Sequence, residues 1–155
     1  WRHGPFPPVF VTLDALVTCN NHILLVQRKH CPGKGLWALP GGFLDQDERI
    51  EDGVFRELVE ETNIDVSLDQ LRKSLKGVRV FDYPERSLRG RIITHVGQIK
   101  LNSKHELPKI SAADDAEDAR WVLFDDFWKM SEQMIDDHYQ IVRVMLKSEW
   151  SKNGK

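Results

Sequence analysis

The chain has 155 residues, of which 41% are hydrophobic and 30% charged, and its net charge is −2. This length suits one domain with its own core, and the composition is typical of a soluble globular protein. The nearly balanced charge gives no electrostatic reason to expect nucleic acid or an anionic membrane as a partner. No apolar run approaches the roughly 20 residues that a membrane-spanning helix needs.

The chain starts WRHGPFPP, a proline-rich stretch without methionine. We therefore predict a linker or N-terminal arm at residues 1–8, a domain at residues 9–150 and a C-terminal tail at residues 151–155. Excision from a longer protein and a cloning or processing boundary would both account for this start. The two cysteines, Cys19 and Cys31, have no metal-like spacing, which fits a reducing cytoplasm better than a disulfide framework.

The first part of the chain is rich in β-branched residues and turn signals, which indicates strands joined by short loops. In chain order we predict a strand at Val9–Thr18, a turn at Asn20–Asn21, a strand at His22–Gln27, a basic loop at Arg28–Gly35 and a short apolar segment at Trp37–Leu39.

A helix is predicted for Glu48–Thr62, because apolar residues recur every four positions over Ile50–Leu58. Asp45 and Asp47 lie just before it, where a side-chain cap and negative charge favour a helix start. Asn63 is expected to end the helix, because asparagine tolerates the left-handed conformation common at that position.

The remaining chain continues to alternate between apolar segments and polar loops. We predict a packed segment at Leu68–Leu75, strands at Gly77–Asp82 and Ile92–Leu101 with the loop Tyr83–Arg91 between them, an acidic stretch at Asn102–Asp118, a strand at Arg120–Phe124 and a closing helix at Glu132–Trp150. This order predicts an α+β fold, specifically an α/β/α sandwich with a central mixed sheet and helices on both sides.

Three acids of the predicted helix, Glu57, Glu60 and Glu61, are spaced to share one face. Like charges at this spacing destabilise an isolated helix slightly, and a divalent cation would reverse that effect. Carboxylate oxygens suit Mg²⁺ or Mn²⁺. The pattern alone leaves open a solvated acidic face with partners such as Arg56.

The residues around these acids extend the pattern. Gly42, Glu48, Arg56–Leu58, Glu60–Glu61 and Asn63–Ile64 have the spacing of the Nudix box, which this stretch resembles at every defined position but one. At average residue usage, such a match by chance is on the order of 10⁻⁶. The one departure is asparagine in place of the usual glycine, and asparagine also adopts the backbone shape that glycine supplies.

The resemblance implies the Nudix fold and Mg²⁺-dependent hydrolysis of a nucleoside diphosphate linked to another moiety, with Mn²⁺ as a possible substitute. It implies metal binding by Glu57 and Glu61 as principal ligands, with support from Glu60 and the carbonyl of Gly41. It implies structural roles for Gly42, Glu48 and Arg56, the last two as an ion pair that holds the loop against the helix.

The loop between the two later strands is the expected substrate side. Arg86, Arg89 and Arg91 carry planar forks that suit phosphate, and Phe81 or Tyr83 could stack on a base. A basic surface loop is the alternative. Likewise, Arg28 in the earlier basic loop could reach a phosphate or only cap a strand.

Longer strings resemble a narrower group, the Nudix domains of bifunctional nicotinamide-mononucleotide adenylyltransferase/ADP-ribose pyrophosphatases. These strings are FVTLDALV, HILLVQRKHCPGKGLWALPGGFLDQDERIEDG, FDYPERSLRGRIITH and DDAEDARWVLFDD. The resemblance implies cleavage of ADP-ribose by water to AMP and ribose 5-phosphate, in NAD turnover, and the cysteine usage adds the expectation of a cytoplasmic location. It also implies a preceding adenylyltransferase domain, and the wider family makes a homodimer a reasonable expectation.

The acidic stretch before the last strand is the expected source of a general base. Asp115 and Glu117 are the candidates, with a solvated hairpin end as the alternative; otherwise Glu60 or Glu61 could orient the water. His138 in the closing helix is expected to be a surface or interface residue. Two other functions stay open: a Nudix pyrophosphatase acting on another nucleoside diphosphate derivative or a nucleoside triphosphate, and a module that senses ADP-ribose without cleaving it.

Overall fold

The computed structural model describes residues 4–113 and 115–147. Some predicted features lie outside these residues: the first three positions of the arm, Asp114 of the acidic stretch, the last three positions of the closing helix and the tail at 151–155. None of the described helices combines the length and the apolar composition needed to cross a membrane.

The described residues form seven strands and four α-helices. The strands are β1 (Phe10–Cys19), β2 (His22–Arg28), β3 (Trp37–Ala38), β4 (Gly41–Phe43), β5 (Leu75–Phe81), β6 (Ile92–Leu101) and β7 (Ala116–Leu123). The helices are α1 (Ile50–Thr62), α2 (Leu68–Ser74), α3 (Phe124–Phe127) and α4 (His138–Met145), with a 3₁₀ turn at Ser131–Gln133 between the last two.

These strands form one mixed sheet in which β3, β2, β1, β6 and β5 lie side by side. β1 and β6 are parallel, and the other paired strands are antiparallel. β1 and β2 pair only beside their turn, where Asn20 and Asn21 adopt left-handed φ angles of 48° and 64°. Beyond the turn, β4 pairs with β1 and β7 pairs with β2, so the two central strands diverge.

Helices cover both faces of the sheet, which is why β1 is buried along nearly its whole length. Leu13 and Val17 belong to a core cluster with Leu58 of α1. Leu16 points to the opposite face and belongs to a cluster with Val142 of α4. The predicted α/β/α sandwich with a central mixed sheet is therefore confirmed.

The start of α1 differs from the prediction and its end agrees. Arg49 occupies the N-cap position without a side-chain hydrogen bond, so the prediction that Asp45 or Asp47 caps the helix was wrong. Asp45 instead lies 3.3 Å from Arg56, because the loop before the helix folds back along it. Asn63 ends the helix in the left-handed conformation, as predicted.

The closing helix is shorter than the predicted Glu132–Trp150. Before α4 begins at His138, Met134 forms an isolated bridge with Trp37, and Asp136 has a φ angle of 46°. The apolar residues ahead of α4 therefore pack as an irregular segment against the sheet, although their spacing resembles that of a helix.

The last strand also has different bounds from those predicted. β7 begins at Ala116, ahead of the predicted Arg120, because its pairing with β2 continues to that residue. Phe124 begins α3 instead of ending the strand.

Candidate active site

A cleft of about 220 Å³ lies where β1 and β2 diverge. Its lining residues are far apart in the sequence. They include residues of β1, β2, the glycine segment (Gly41–Gly42), α1, the arginine loop (Tyr83–Arg91) and α4. The charged and titratable residues in its lining are Asp14, Arg28, Lys29, His30, Glu61, Arg86, Arg89, Asp115 and His138.

Glu61, in the last turn of α1, lies against the backbone of the glycine segment. Its Oε2 accepts a hydrogen bond from the Gly41 N–H at 3.4 Å. Burial, and next the charge of Glu57, raise the pKa of Glu61 from 4.5 to about 8, although the Gly41 hydrogen bond acts in the opposite direction. Burial also raises the pKa of Glu57, against the charge of Arg56. Ionising both carboxylates is therefore costly unless a cation joins them.

The two glycines let β4 approach these carboxylates closely. A Cβ on Gly41 would lie 2.1 Å from the Leu13 carbonyl oxygen and 2.3 Å from Asp14 Oδ1. A Cβ on Gly42 would lie 2.5 Å from Glu57 Oε1. Glycine is needed at position 41 because the clash there is with backbone atoms, whereas a Cβ at position 42 would push the Glu57 carboxylate out of its place.

Arg56 joins the loop before α1 to the acids on the helix. Its Nε and Nη2 donate to Glu48 at 2.9 and 2.7 Å, and its Nη1 donates to Glu57 at 2.9 Å and to Glu60 at 3.0 Å. The Arg56 hydrogen bond lowers the pKa of Glu48. Glu60, whose side chain is 58% exposed, is therefore paired with Arg56, whereas Glu61 lines the cleft.

The donor set around the glycine segment fits a hard divalent cation. Among the described residues, no three His, Cys, Asp or Glu side chains are grouped as a complete metal-binding set. Mg²⁺ typically uses only one or two protein carboxylates and completes its coordination with water and substrate phosphates. Glu57 and Glu61 beside Gly41 would provide such a partial set, and the cation would relieve the repulsion between the two carboxylates.

Arg86 lines the cleft and directs one edge of its guanidinium at a carboxylate. Its Nε and Nη2 donate to the two carboxylate oxygens of Asp137 at 3.1 and 2.8 Å, and its side chain is only 2% exposed. This bidentate ion pair anchors the arginine loop to the start of α4. Arg86 also lines the cleft, so its contact with a phosphate stays a prediction.

Arg28 and Arg89 form the positive side of the cleft. Burial, and next the charge of Arg89, lower the pKa of Arg28, whereas Asp136 and Glu61 act in the opposite direction. Arg28 Nε donates to the Pro32 carbonyl at 2.9 Å, and Arg89 Nη2 lies 3.8 Å from Asp136. A phosphate between the two guanidinium groups would relieve their mutual repulsion.

The other predicted substrate residues do not line this cleft. Arg91 Nη1 donates to the Asp82 carbonyl at 2.6 Å, and Phe81 packs under the guanidinium of Arg79, 5.4 Å from the ring centre. Tyr83 is 66% exposed and lines a neighbouring groove of about 480 Å³.

The structure separates the two candidates for a general base. Asp115 lines the cleft, and its charge is one of the contributions that raise the pKa of Glu61. Glu117 is exposed and lies outside the cleft lining, at the position where the pairing of β7 with β2 is irregular. Of the two candidates, only Asp115 is therefore brought to the cleft, on the side of Glu61.

Two buried titratable residues of the cleft, Asp14 and His138, were not predicted as site residues. Asp14 accepts a hydrogen bond from Thr94 Oγ1 at 2.5 Å, and its Oδ2 lies 4.0 Å from Nε2 of His138. His138 is buried, not at the surface as expected, and its Nδ1 accepts the Leu39 N–H at 3.0 Å. An acid inside an apolar strand was an available signal for Asp14, whereas the burial of His138 depends on how α4 packs.

Comparisons with known proteins agree with this geometry. The NUDIX domain model matches residues 10–145. The chain is 34% identical over 144 residues to an ADP-ribose pyrophosphatase of Methanocaldococcus jannaschii, covering 93% of this chain and 75% of that protein.

Two solved structures have the same fold. A bifunctional NMN adenylyltransferase/ADP ribose pyrophosphatase of Francisella tularensis, complexed with AMP and a manganese ion, matches with a TM-score of 0.91 and 50% identity, over 96% of this chain and 44% of that one. The NUDIX domain of Shewanella oneidensis NrtR, complexed with ADP ribose, matches with a TM-score of 0.71 and 26% identity, over 91% of this chain and 90% of that one.

The chain thus spans less than half the length of the Francisella protein. The resemblance drawn from the box and the longer strings is confirmed, because the family match extends over most of the sequence. The chain belongs to the NUDIX family and is a Nudix hydrolase.

Proposed function

We propose that this chain is an ADP-ribose pyrophosphatase, which uses water to cleave ADP-ribose into AMP and ribose 5-phosphate in NAD turnover. The observation that carries the proposal is a single cleft with acidic and basic sides. Glu61, whose charge interacts with that of Glu57, lines it together with Arg28 and Arg89. A substrate with a pyrophosphate group would meet carboxylates that can hold a cation and guanidinium groups that can hold a phosphate. The Methanocaldococcus and Francisella relatives carry this activity in their names.

Glu57 and Glu61 would hold Mg²⁺, with Mn²⁺ as a substitute, next to the backbone of Gly41. A bound divalent cation neutralises charge on a pyrophosphate and lowers the pKa of a bound water. The arginine pair would hold the substrate phosphates on the opposite side. The Francisella protein was solved with a manganese ion, which supports a divalent cofactor.

Asp115 is the residue that we assign to proton transfer. It reaches the cleft on the side of Glu61, so its carboxylate is placed to accept a proton from water that attacks the pyrophosphate. Substitution of Asp115 by asparagine should lower kcat by about 10²-fold to 10⁴-fold, the usual contribution of a general base.

The cellular setting is part of the same proposal. The free cysteines, Cys19 and Cys31, fit a cytoplasmic location. The domain composition of the Francisella protein supports fusion to an adenylyltransferase domain. A homodimer is also proposed, and size-exclusion chromatography with light scattering would test it.

A non-hydrolytic sensor is the second candidate, because the NUDIX domain of NrtR was solved with ADP ribose. The two candidates predict different outcomes for the same ligand. A hydrolase releases AMP, whereas a sensor binds ADP-ribose and returns it unchanged.

The test is a substrate panel on the purified chain, with Mg²⁺ or Mn²⁺ and with product identification by mass spectrometry. We expect the highest kcat/KM for ADP-ribose, with AMP and ribose 5-phosphate as products. Glu61→Gln is the inactive control. A clear preference for a nucleoside triphosphate, or binding of ADP-ribose without AMP release, would contradict the proposal.

A further inference from the structure

Asn63, the residue that ends α1, uses its side chain in a way that glycine could not. Its backbone is left-handed, with φ 48° and ψ 34°. Its Nδ2 donates to the carbonyl oxygen of Ser111 at 3.2 Å and to Ser111 Oγ at 3.1 Å. Both bonds join the end of the helix to a segment that lies 48 residues further along the chain.

The segment 109–113 runs along the end of α1 and satisfies carbonyl groups that a helix end leaves without partners. Three backbone hydrogen bonds at alternate residues make this connection: Asp65 N–H to Lys109 O at 2.9 Å, Ser111 N–H to Thr62 O at 2.8 Å, and Ala113 N–H to Glu61 O at 3.2 Å. The last of them ends on the backbone carbonyl of Glu61, whose carboxylate lines the cleft.

Apolar packing holds this part of the chain only at its two ends. Ile110 packs against one core cluster, and Ala116 belongs to another. The described residues between them, 111–113 and Asp115, belong to neither cluster. Hydrogen bonds must therefore hold segment 109–113 against α1. The Asn63 side chain donates two of them, both to Ser111 in the middle of the segment.

Asp115 follows two residues after the last bond to α1, and it lies in the cleft near Glu61. We propose that Asn63 is a positioning residue, whose amide orders segment 109–113 and thereby holds Asp115 beside Glu61. This inference rests on the proposed function, because it assigns Asp115 to the hydrolytic step.

Asn63→Gly separates this role from that of ending the helix. Glycine adopts the left-handed conformation freely, so the backbone at the helix end is kept and only the amide is lost. Ser67→Ala is the matched control for a general loss of stability. Ser67 caps α2 through a hydrogen bond from Gln70 N–H, and it does not line the cleft.

The experiment compares wild type, Asn63→Gly, Asp115→Asn, the double variant and Ser67→Ala, with ADP-ribose as substrate. For Asn63→Gly we expect kcat to fall about tenfold, as when Asp115 is in place about a tenth of the time. KM and Mn²⁺ affinity should stay within about twofold, because the metal ligands and the arginine pair keep their contacts. In the Asp115→Asn background the same substitution should cause no further loss.

Amide hydrogen exchange gives a readout that needs no activity. The Ser111 and Ala113 amides should exchange faster in Asn63→Gly than in wild type, and Ser67→Ala should leave them unchanged. The inference is overturned by unchanged exchange, by a kcat within twofold of wild type, by an equal fall in Ser67→Ala, or by a full further loss in the double variant. Wild type that does not hydrolyse ADP-ribose refutes the proposed function, whereas the exchange result still decides whether Asn63 orders the segment.

Discussion

Glu61→Gln should stabilise the metal-free protein at pH 8 and change it little at pH 5. Burial raises the pKa of Glu61 from 4.5 to about 8. Between these pH values the folded chain keeps a proton that the unfolded chain has released. Its stability therefore falls as the pH rises from about 5 to about 8, and the fall levels off above the folded-state pKa. Glutamine does not ionise in this range, so the variant should not show this fall in stability.

The size of the effect follows from the same pKa difference. A rise from 4.5 to about 8 corresponds to at most about 5 kcal/mol of unfolding free energy. Part of it is already lost at pH 5, and water in the open cleft screens part of the charge. We therefore expect the stability difference between variant and wild type to grow by about 2–3 kcal/mol between pH 5 and pH 8.

Urea unfolding followed by tryptophan fluorescence, with a chelator and at constant ionic strength, measures this difference. Glu60→Gln is the matched control: its exposed ion pair with Arg56 should contribute less than about 1 kcal/mol at either pH. Parallel pH profiles of wild type and Glu61→Gln, or a wild type that is the more stable at pH 8, would refute the reasoning.

A divalent cation should reverse the loss of stability that ionised Glu61 causes at high pH. Mn²⁺ must displace the proton that Glu61 holds, so it should stabilise wild type more at pH 8 than at pH 5. Glu61→Gln should lose most of this stabilisation. An equal Mn²⁺ effect in both proteins would show that Glu61 does not bind the ion.

Three further substitutions test the other contacts of the site. Gly42→Ala places a Cβ 2.5 Å from a metal-side carboxylate, so Mn²⁺ affinity measured by calorimetry should fall about 10-fold to 100-fold; unchanged affinity would contradict this placement. Arg89→Ala should raise KM for ADP-ribose about tenfold or more, whereas Arg91→Ala, outside the cleft, should stay within about twofold; equal effects would be inconsistent with the cleft geometry. Asp137→Asn should cost about 2–3 kcal/mol in urea unfolding because it breaks a buried ion pair, and Asp52→Asn, in an exposed pair, less than about 1; similar costs would show that burial does not matter here.

Much of the fold could be predicted because its signals are local. The hairpin needed two residues that tolerate a left-handed backbone, and Asn20–Asn21 supplied them. The pattern of apolar residues predicted α1, and its end depended on the conformational preference of Asn63. The irregular segment before α4 was missed, because apolar spacing alone does not distinguish a helix from a chain that packs along a sheet.

The arginine loop shows where local reasoning stops. Three arginines there suit phosphate equally well in the sequence, yet the structure gives them different partners. Arg86 and Arg89 both line the cleft, but Arg86 is held by a carboxylate 51 residues away, whereas Arg89 has only a long contact of 3.8 Å with Asp136. Arg91 lies outside the cleft and donates to a nearby carbonyl. Which guanidinium is available depends on which acceptors the packed chain brings near it.

The sequence by itself determined that Glu57 and Glu61 lie on one side of α1, because the helical repeat places them there whatever surrounds the helix. Only the tertiary structure decided how they are used. The divergence of β1 and β2 opens the cleft, burial raises the pKa of Glu61, and Asn63 bonds to Ser111 in the segment that precedes Asp115. The physical reason is that desolvation and long-range contacts depend on residues far apart in the chain, and no local pattern encodes them.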